Sequence, residues 1–480
     1  MPSRRMDTTI YVTTQRSQTL AIVDLEKGQC TATIELAGQP LGVVLSADGR
    51  RAFVSEFAGD YIDGVYSPGT IAVVDLVKRS VIKKIPVKPF PFALALDDKR
   101  RSLYVTHFFA HNSVGLVSVI GTDSCELQRE IHLPEDNDII GGAGGVFTAI
   151  SSIALHPCAP RALVVGVHAN VRRGLSQSRH ALSHKTTMQA VARVLDLEKG
   201  EEVPCSRIIS SFSGQAVAMP SAVAFLPSGK HFIDVYSVSH DFKLIAYNER
   251  GVVAERTLFE LPAGPTGLAL TRDGRTVFFN CRWARSIAQV TIADIRRPNL
   301  AHKIQITQEP WDELRAFGAH VFHNSRDTRM TPNRWLACGC CHLDGGNLSD
   351  NLVWEFTENQ KPSSPRLVNT KPLSITGWSA PQFLFRARTA RYKRKRSSSA
   401  PSSEEAASCE KKELRYLQNW QGSHANLTVW RRLSSDSNHG SALTWMGHFL
   451  AWRSSTPYDV VDVCSQVRAL VAIAAIEVQT

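Results

Sequence analysis

The chain has 480 residues, 43% of them hydrophobic and 21% charged, with a formal net charge of +11. That length predicts two or three domains, and that balance excludes a wholly disordered chain. Seven of the basic residues sit in Arg386–Arg396 (RARTARYKRKR) with no acidic residue among them, so eleven minus seven leaves +4 elsewhere, which argues against a basic nucleic-acid-binding face.

The opening MPSRRMDTTIYVTTQ holds no apolar signal-peptide core. From there, short strand-like runs recur: Ile10–Thr14, Ala52–Glu56, Leu103–His107, Leu163–Val167, His231–Ser237 and Val277–Cys281. Most follow a turn (SADGR, LDDKR, HPCAP, LPSGK, TRDGR), and several turns follow another apolar run such as LGVVLS, FALALD or GLALTR. A third run tends to come after, as in LAIVDLEKG, IAVVDLVKR and ARVLDLEKG. Asp-Gly and Ser-Gly between apolar alternations predict hairpins. A unit of three or four such strands is apolar on both faces, and radial stacking of units covers those faces. One polar, basic interruption, His168–Gln189, predicts a long loop on one face of the array.

The stretch IYVTTQRSQTLAIVDLEKGQCTATIELAGQPLGVVLSADGR resembles the YVTN-type β-propeller repeat. The resemblance implies a mainly β fold, a six- or seven-bladed propeller over residues 1–306, followed by a small α-helical domain. Six units are countable.

After Ile306 the repeat stops. In ELRAFGAHVFHNSRDTRMT, Leu314, Phe317, Val321 and Phe322 recur at helical spacing. Then WLACGCCHLDGG brings Cys338, Cys341 and His342 into C-x-x-C-H, the c-type haem attachment pattern. Two thiols three residues apart reach the two vinyl groups of one porphyrin edge, and the adjacent histidine turns under the iron. With ten cysteines and sixteen histidines, composition yields about 0.007 such motifs by chance.

Gly318-x-x-x-Phe322 resembles the first helix of cytochrome c domains, and propeller plus motif, in that order, resemble propeller-containing relatives of di-haem cytochrome c peroxidases of the MauG type. The resemblance implies one covalently attached haem c over residues 307–378, with Cys338 and Cys341 as thioether anchors and His342 as axial ligand to the iron. Only one C-x-x-C-H exists, so a di-haem mechanism does not carry over. Cys340 is an extra thiol inside the motif, either paired with another cysteine or tolerated at a variable position. Met330, Met446, His320 and His323 are candidates for the other axial position, none of them singled out. A tetrahedral zinc site from His320, His323, Cys338 and Cys341 is the rival use of the same residues.

The functional expectation is therefore electron transfer, with a redox protein or small electron donor or acceptor as partner and the propeller as docking platform. The alternatives are a peroxidase-like haem enzyme and a non-catalytic binding propeller with a vestigial haem or a zinc site. His107 and His111 are loop or core histidines or line a propeller loop near the haem domain; Asp344 and Asp350 either order the loop after the haem or are turn formers. Haem c implies a periplasmic or other extracytoplasmic location, so the expectation is that an export signal, with part of the array, is missing ahead of Thr9. Residues 379–412, basic and then Ser-rich, predict a low-complexity linker. Phe385–Lys412 is expected to be a frame-shifted or unspliced insert, and 413–480 the remainder of the haem domain. No apolar run is long enough to cross a bilayer. The closing VVDVCSQVRALVAIAAIEV, interrupted by Asp462, Arg468 and Glu477, predicts a packed strand or helix.

Overall fold

The computed structural model of the chain describes residues 9–309, apart from 16, 58–60, 63–64, 137–143, 170–187, 205, 211–215 and 248–255, and then 311–327, 334–340, 353–354 and 368–369. These residues fall into two units, one ending at 309 and one beginning at Trp311. Two kinds of turn space the strands of the first unit. Ser46 and Thr271 head one kind: each hydroxyl donates to an aspartate two residues on, Asp48 at 2.5 Å and Asp273 at 2.6 Å, and accepts a backbone N–H from beyond the turn. Gly49 and Gly274 complete these turns at φ 65° and 70°, where a Cβ would add strain. The aspartate ending IVD, VVD and VLD makes the other kind. Asp24 accepts the N–H of Lys27, Asp75 those of Val77 and Lys78, and Asp196 those of Glu198 and Lys199.

Among the described residues these turns delimit six antiparallel sheets of three or more strands. The first holds Thr9–Thr14, Thr19–Asp24 and Gln29–Glu35; the second, Pro40–Leu45, Arg51–Glu56, Gly69–Asp75 and Ser80–Val87. The third holds Pro91–Asp97, Ser102–His107, Gly115–Gly121 and Glu126–Leu133. In the fourth, Val146–Leu155, Arg161–Ala169 and Met188–Asp196 are joined by the short Glu201–Glu202 and Ile208–Ile209. The fifth holds Pro220–Phe225, His231–Tyr236, Asp241–Ala246 and Arg256–Glu260; the sixth, Pro265–Leu270, Thr276–Cys281, Ser286–Thr291 and Asn299–Gln305. In sheets two to six, the leading strand of each packs on the leading strand of the next, so these strands share one axis and the sheets radiate from it. The unit is a six-bladed β-propeller.

An apolar core fills each joint between successive blades. Leu20 and Ile22 meet Val54 and Val74; Phe53 and Val73 meet Leu103 and Val105; Tyr104 and Val117 meet Ile150 and Val164. Val165 and Val194 meet Val223 and Phe232, and Phe242 and Leu244 meet Phe279 and Val290. Each such side chain contributes about 1.5–3 kcal/mol by leaving water.

One expectation is corrected. His168 and Gln189 do not belong to a surface loop. They are register partners on adjoining strands, both buried, because the two strands run on past the turn-free apolar stretch to Ala169 and from Met188. The interruption is thereby shortened to 170–187, which lies outside the described residues. In the second unit, a helix spans Glu313–Phe322 and a single 3-10 turn spans Cys338–Cys340. Among the described residues no helix is long and apolar enough to cross a membrane.

Candidate functional site

Within the second unit, Glu313 lies in the first turn of the helix and His320 in the last, the arrangement that suits the helix dipole. Gly318, Ala319, Val321 and Phe322 are buried, whereas Phe317 is exposed. Just beyond the helix, His323 is buried too, edge-on to the Phe322 ring at 4.8 Å. Its ring lies against Gly339 so closely that a Cβ there would overlap Nδ1 of His323. The helix end and the first half of the C-x-x-C-H segment are thus in contact, although fifteen residues separate them.

Neither described cysteine of that turn is bridged. Cys338 keeps part of its residue surface exposed, but burial of its thiol pushes the pKa up to about 11. Cys340 is buried at 1% exposure, and its Sγ accepts the N–H of Ala337 at 3.4 Å. Trp335 and Ala337 are buried beside it. The rival zinc set is not assembled by the described histidines: His320 is exposed and shares a 3.0 Å hydrogen bond with Asn324, while His323 turns to Gly339. Among the described residues no three His, Cys, Asp or Glu side chains gather as metal ligands. Cys341, His342, Asp344, Asp350, Met330 and Met446 lie outside the described residues, as do residues 379–412 and 413–480.

Inside the propeller, His107 is a core histidine. Nδ1 meets the carbonyl of Pro89 at 2.8 Å and Nε2 meets the Ser118 hydroxyl at 2.9 Å. Burial pushes its pKa down to about 4, so it is neutral at physiological pH. His111 sits in a tight turn bridged to Val114 and is exposed.

Two buried polar clusters flank the fourth blade, and sequence reasoning passed over both. Arg193, fully buried, donates to Nε2 of His168 at 2.9 Å, to the Pro134 carbonyl at 2.9 Å and to Glu202 at 3.1 Å, and lies 4.6 Å above the Phe147 ring. Arg207 pairs with Asp136 and Glu202. Burial lowers the Arg193 pKa to about 10 against the pull of Glu202, which leaves it charged at neutral pH. Toward the fifth blade, Asp234 accepts from Tyr236 Oη at 2.6 Å and Ser210 Oγ at 2.9 Å, and Lys243 donates to the Ser210 carbonyl. Oδ1 of Asp234 has no hydrogen-bond partner among the described residues. Burial raises its pKa to about 6, outweighing the two hydrogen bonds and Lys243. The available signal was a charge in the middle of a largely apolar strand, Arg193 in AVARVLD, Asp234 in HFIDVY and Lys243 in DFKLIA. Apart from Asp234 Oδ1, these groups bond one another or nearby carbonyls, an arrangement that specifies packing.

No family description matches the chain, and no curated protein matches it. Solved structures with a similar course of chain include hydrazine synthase of Kuenenia stuttgartiensis, at 16% identity and a TM-score of 0.45, covering 59% of this chain and 74% of that one. A functionally unknown protein from Desulfotomaculum acetoxidans is similar at 13% identity and a TM-score of 0.43, covering 62% and 82%. A protein from Lactobacillus plantarum is similar at 15% identity and a TM-score of 0.41, covering 62% and 81%.

Proposed function

We propose that this chain is a c-type haem redox protein acting in electron transfer, its second unit carrying one haem c and its propeller serving as the docking platform for a redox partner. The observation that carries the reading is the C-x-x-C-H segment at 338–342. Cys338 is unbridged, so its thiol is available for a thioether, while the extra thiol of Cys340 is buried and engaged with Ala337 N–H. Two thiols and an imidazole at this spacing are the donor set that suits the group. Cys338 and Cys341 would anchor it, His342 would hold the iron, and His323 against Gly339 would brace the turn between anchors. When bound, haem c supplies a one-electron iron couple whose potential depends on axial ligand, hydrogen bonding and burial. The chain's own part is to fix the segment, exclude water with the buried Trp335, Ala337 and Phe322, and present one edge to a partner. An extracytoplasmic location belongs to the same proposal.

The test is a pyridine haemochrome spectrum of the purified protein beside metal analysis. One haem per chain is expected in the parent and in Cys340→Ala, with partial or complete loss in Cys338→Ala and Cys341→Ala. Stoichiometric zinc without a haem band, or loss of haem in Cys340→Ala alone, overturns the assignment.

A further inference from the structure

In each blade from the second to the sixth, one turn joins the leading strand to the second: residues 46–50, 98–101, 156–160, 226–230 and 271–275. Because the leading strands share the axis, these turns gather around it at one end of the propeller. The His156 ring shares a 3.1 Å hydrogen bond with the Gly229 carbonyl, and a Cβ on Gly274 would overlap Pro227, so the turns of blades four, five and six abut. At the same end Arg51, directly after the turn of blade two, donates at 3.0 Å to the Thr122 carbonyl in the turn between the third and fourth strands of blade three.

The five turns hold seven basic residues and three acidic ones, and the turn chemistry widens that imbalance. Asp48 accepts the N–H of Arg50 at 3.0 Å, and Asp273 that of Arg275 at 2.9 Å. Each carboxylate is held against its own turn, and the guanidinium that follows is left to solvent. Arg100 and Arg101 are spent on Asp97 at 2.7 Å and Asp123 at 2.8 Å. Arg50, Lys99, Lys230, Arg272 and Arg275 are exposed and make no ion pair among the described residues. Five such cations around one end of the axis set up a positive field there. Apolar side chains stand among them. Leu45, the last residue of the leading strand of blade two, is 40% exposed, and Val77, in the turn between the third and fourth strands of that blade, is 70% exposed. A phosphate backbone has no match for these apolar groups. The exposed carboxylates of Glu26, Asp98 and Glu198 at the same end oppose a continuous anionic sheet such as a bilayer. A protein surface of carboxylates and scattered apolar side chains complements both features.

We propose that this end of the propeller, carrying Arg50, Lys99, Lys230, Arg272 and Arg275, is the docking face of the platform and takes an acidic patch on a protein partner. This face rests on the redox-platform reading and specifies which end of the propeller binds and the charge of what it binds. Contact through exposed cations on separate turns is steered by charge, small in area and short-lived, as transfer of an electron between two proteins requires. It weakens as salt screens the cations.

The experiment is fluorescence anisotropy of the full chain with a fluorescein-labelled peptide of six glutamates and two leucines. Binding should weaken about tenfold between about 20 and about 200 mM NaCl. At low salt it should weaken about tenfold in the triple variant Lys230→Glu, Arg272→Glu, Arg275→Glu. A second triple variant, Lys84→Glu, Lys88→Glu, Lys303→Glu, makes the same change in net charge at exposed positions away from this end, and should weaken binding less than about twofold. Equal losses in the two triple variants overturn the proposal, as does tighter binding of duplex DNA of equal charge or of phosphatidylserine vesicles. Haem content, read separately as a pyridine haemochrome, keeps the two readings apart. Peptide binding that depends on the three turn cations in a chain without haem removes the redox role and upholds the face. A haem-loaded chain that binds no peptide overturns the face alone.

Discussion

Asp234 and His107 are both buried, and burial moves their pKa values toward each other. Asp234 rises from its usual 3.8 to about 6, and His107 falls from 6.5 to about 4. The folded state holds the Asp234 proton more tightly than the unfolded one, so its contribution is greatest below about pH 4 and is lost as pH rises to 6. The folded state keeps His107 neutral, so its contribution is complete above pH 6.5 and is lost as pH falls to 4. Over pH 4–6 the two slopes oppose, each of order 3 kcal/mol at most. Asp234→Asn should therefore leave the His107 slope exposed and make acid destabilisation steeper. His107→Gln should do the reverse, raising stability on acidification from pH 6. Urea midpoints measured from pH 4 to 7 check this; an Asp234→Asn curve parallel to the parent would refute it.

At the scale of elements, the contact between the end of the helix Glu313–Phe322 and the turn Cys338–Cys340 depends on one missing Cβ. Gly339→Ala should push against the His323 ring and cost about 1–3 kcal/mol in the second unit, the usual range for overpacking. His323→Ala on top of Gly339→Ala should recover much of that loss, by thermal melting and by the yield of attached haem. A Gly339→Ala variant indistinguishable from the parent would separate the helix from the turn. The strands and the Asp-headed turns were legible from the sequence because they rest on local chemistry: period-two apolarity and side chains bonding their own backbone. The helix was legible for the same reason. The end of the interruption near His168 was not, since strand continuation past an apolar run depends on pairing with a distant partner, Gln189. Arg193, Asp234 and Lys243 were missed because a charge in a strand reads as exposed until its partners on other strands are known.

For the whole molecule, the blades bury faces against one another and owe nothing to residues 338–342. His342→Ala should abolish any redox couple yet leave propeller stability within about 0.5 kcal/mol of the parent. Phe279→Ala, at the joint where its ring stacks on Phe242 at 4.8 Å, should cost the propeller about 3–5 kcal/mol and leave the haem spectrum unchanged. Differential melting followed at the Soret band and in the far ultraviolet separates the two effects. Rapid peroxide turnover that depends on His342 would replace electron transfer with a peroxidase function; a reversible couple with negligible turnover upholds it.

The sequence by itself determined the repeat, its turns, the place where the array stops and the C-x-x-C-H spacing, all of which are written within a few tens of residues. Only the tertiary structure decided that His168 and Gln189 pair on adjoining strands, that Cys340 is buried against Ala337, and that His323 meets Gly339. Those are outcomes of pairing and packing between segments far apart in the chain. No local pattern encodes which distant residue a buried side chain will meet.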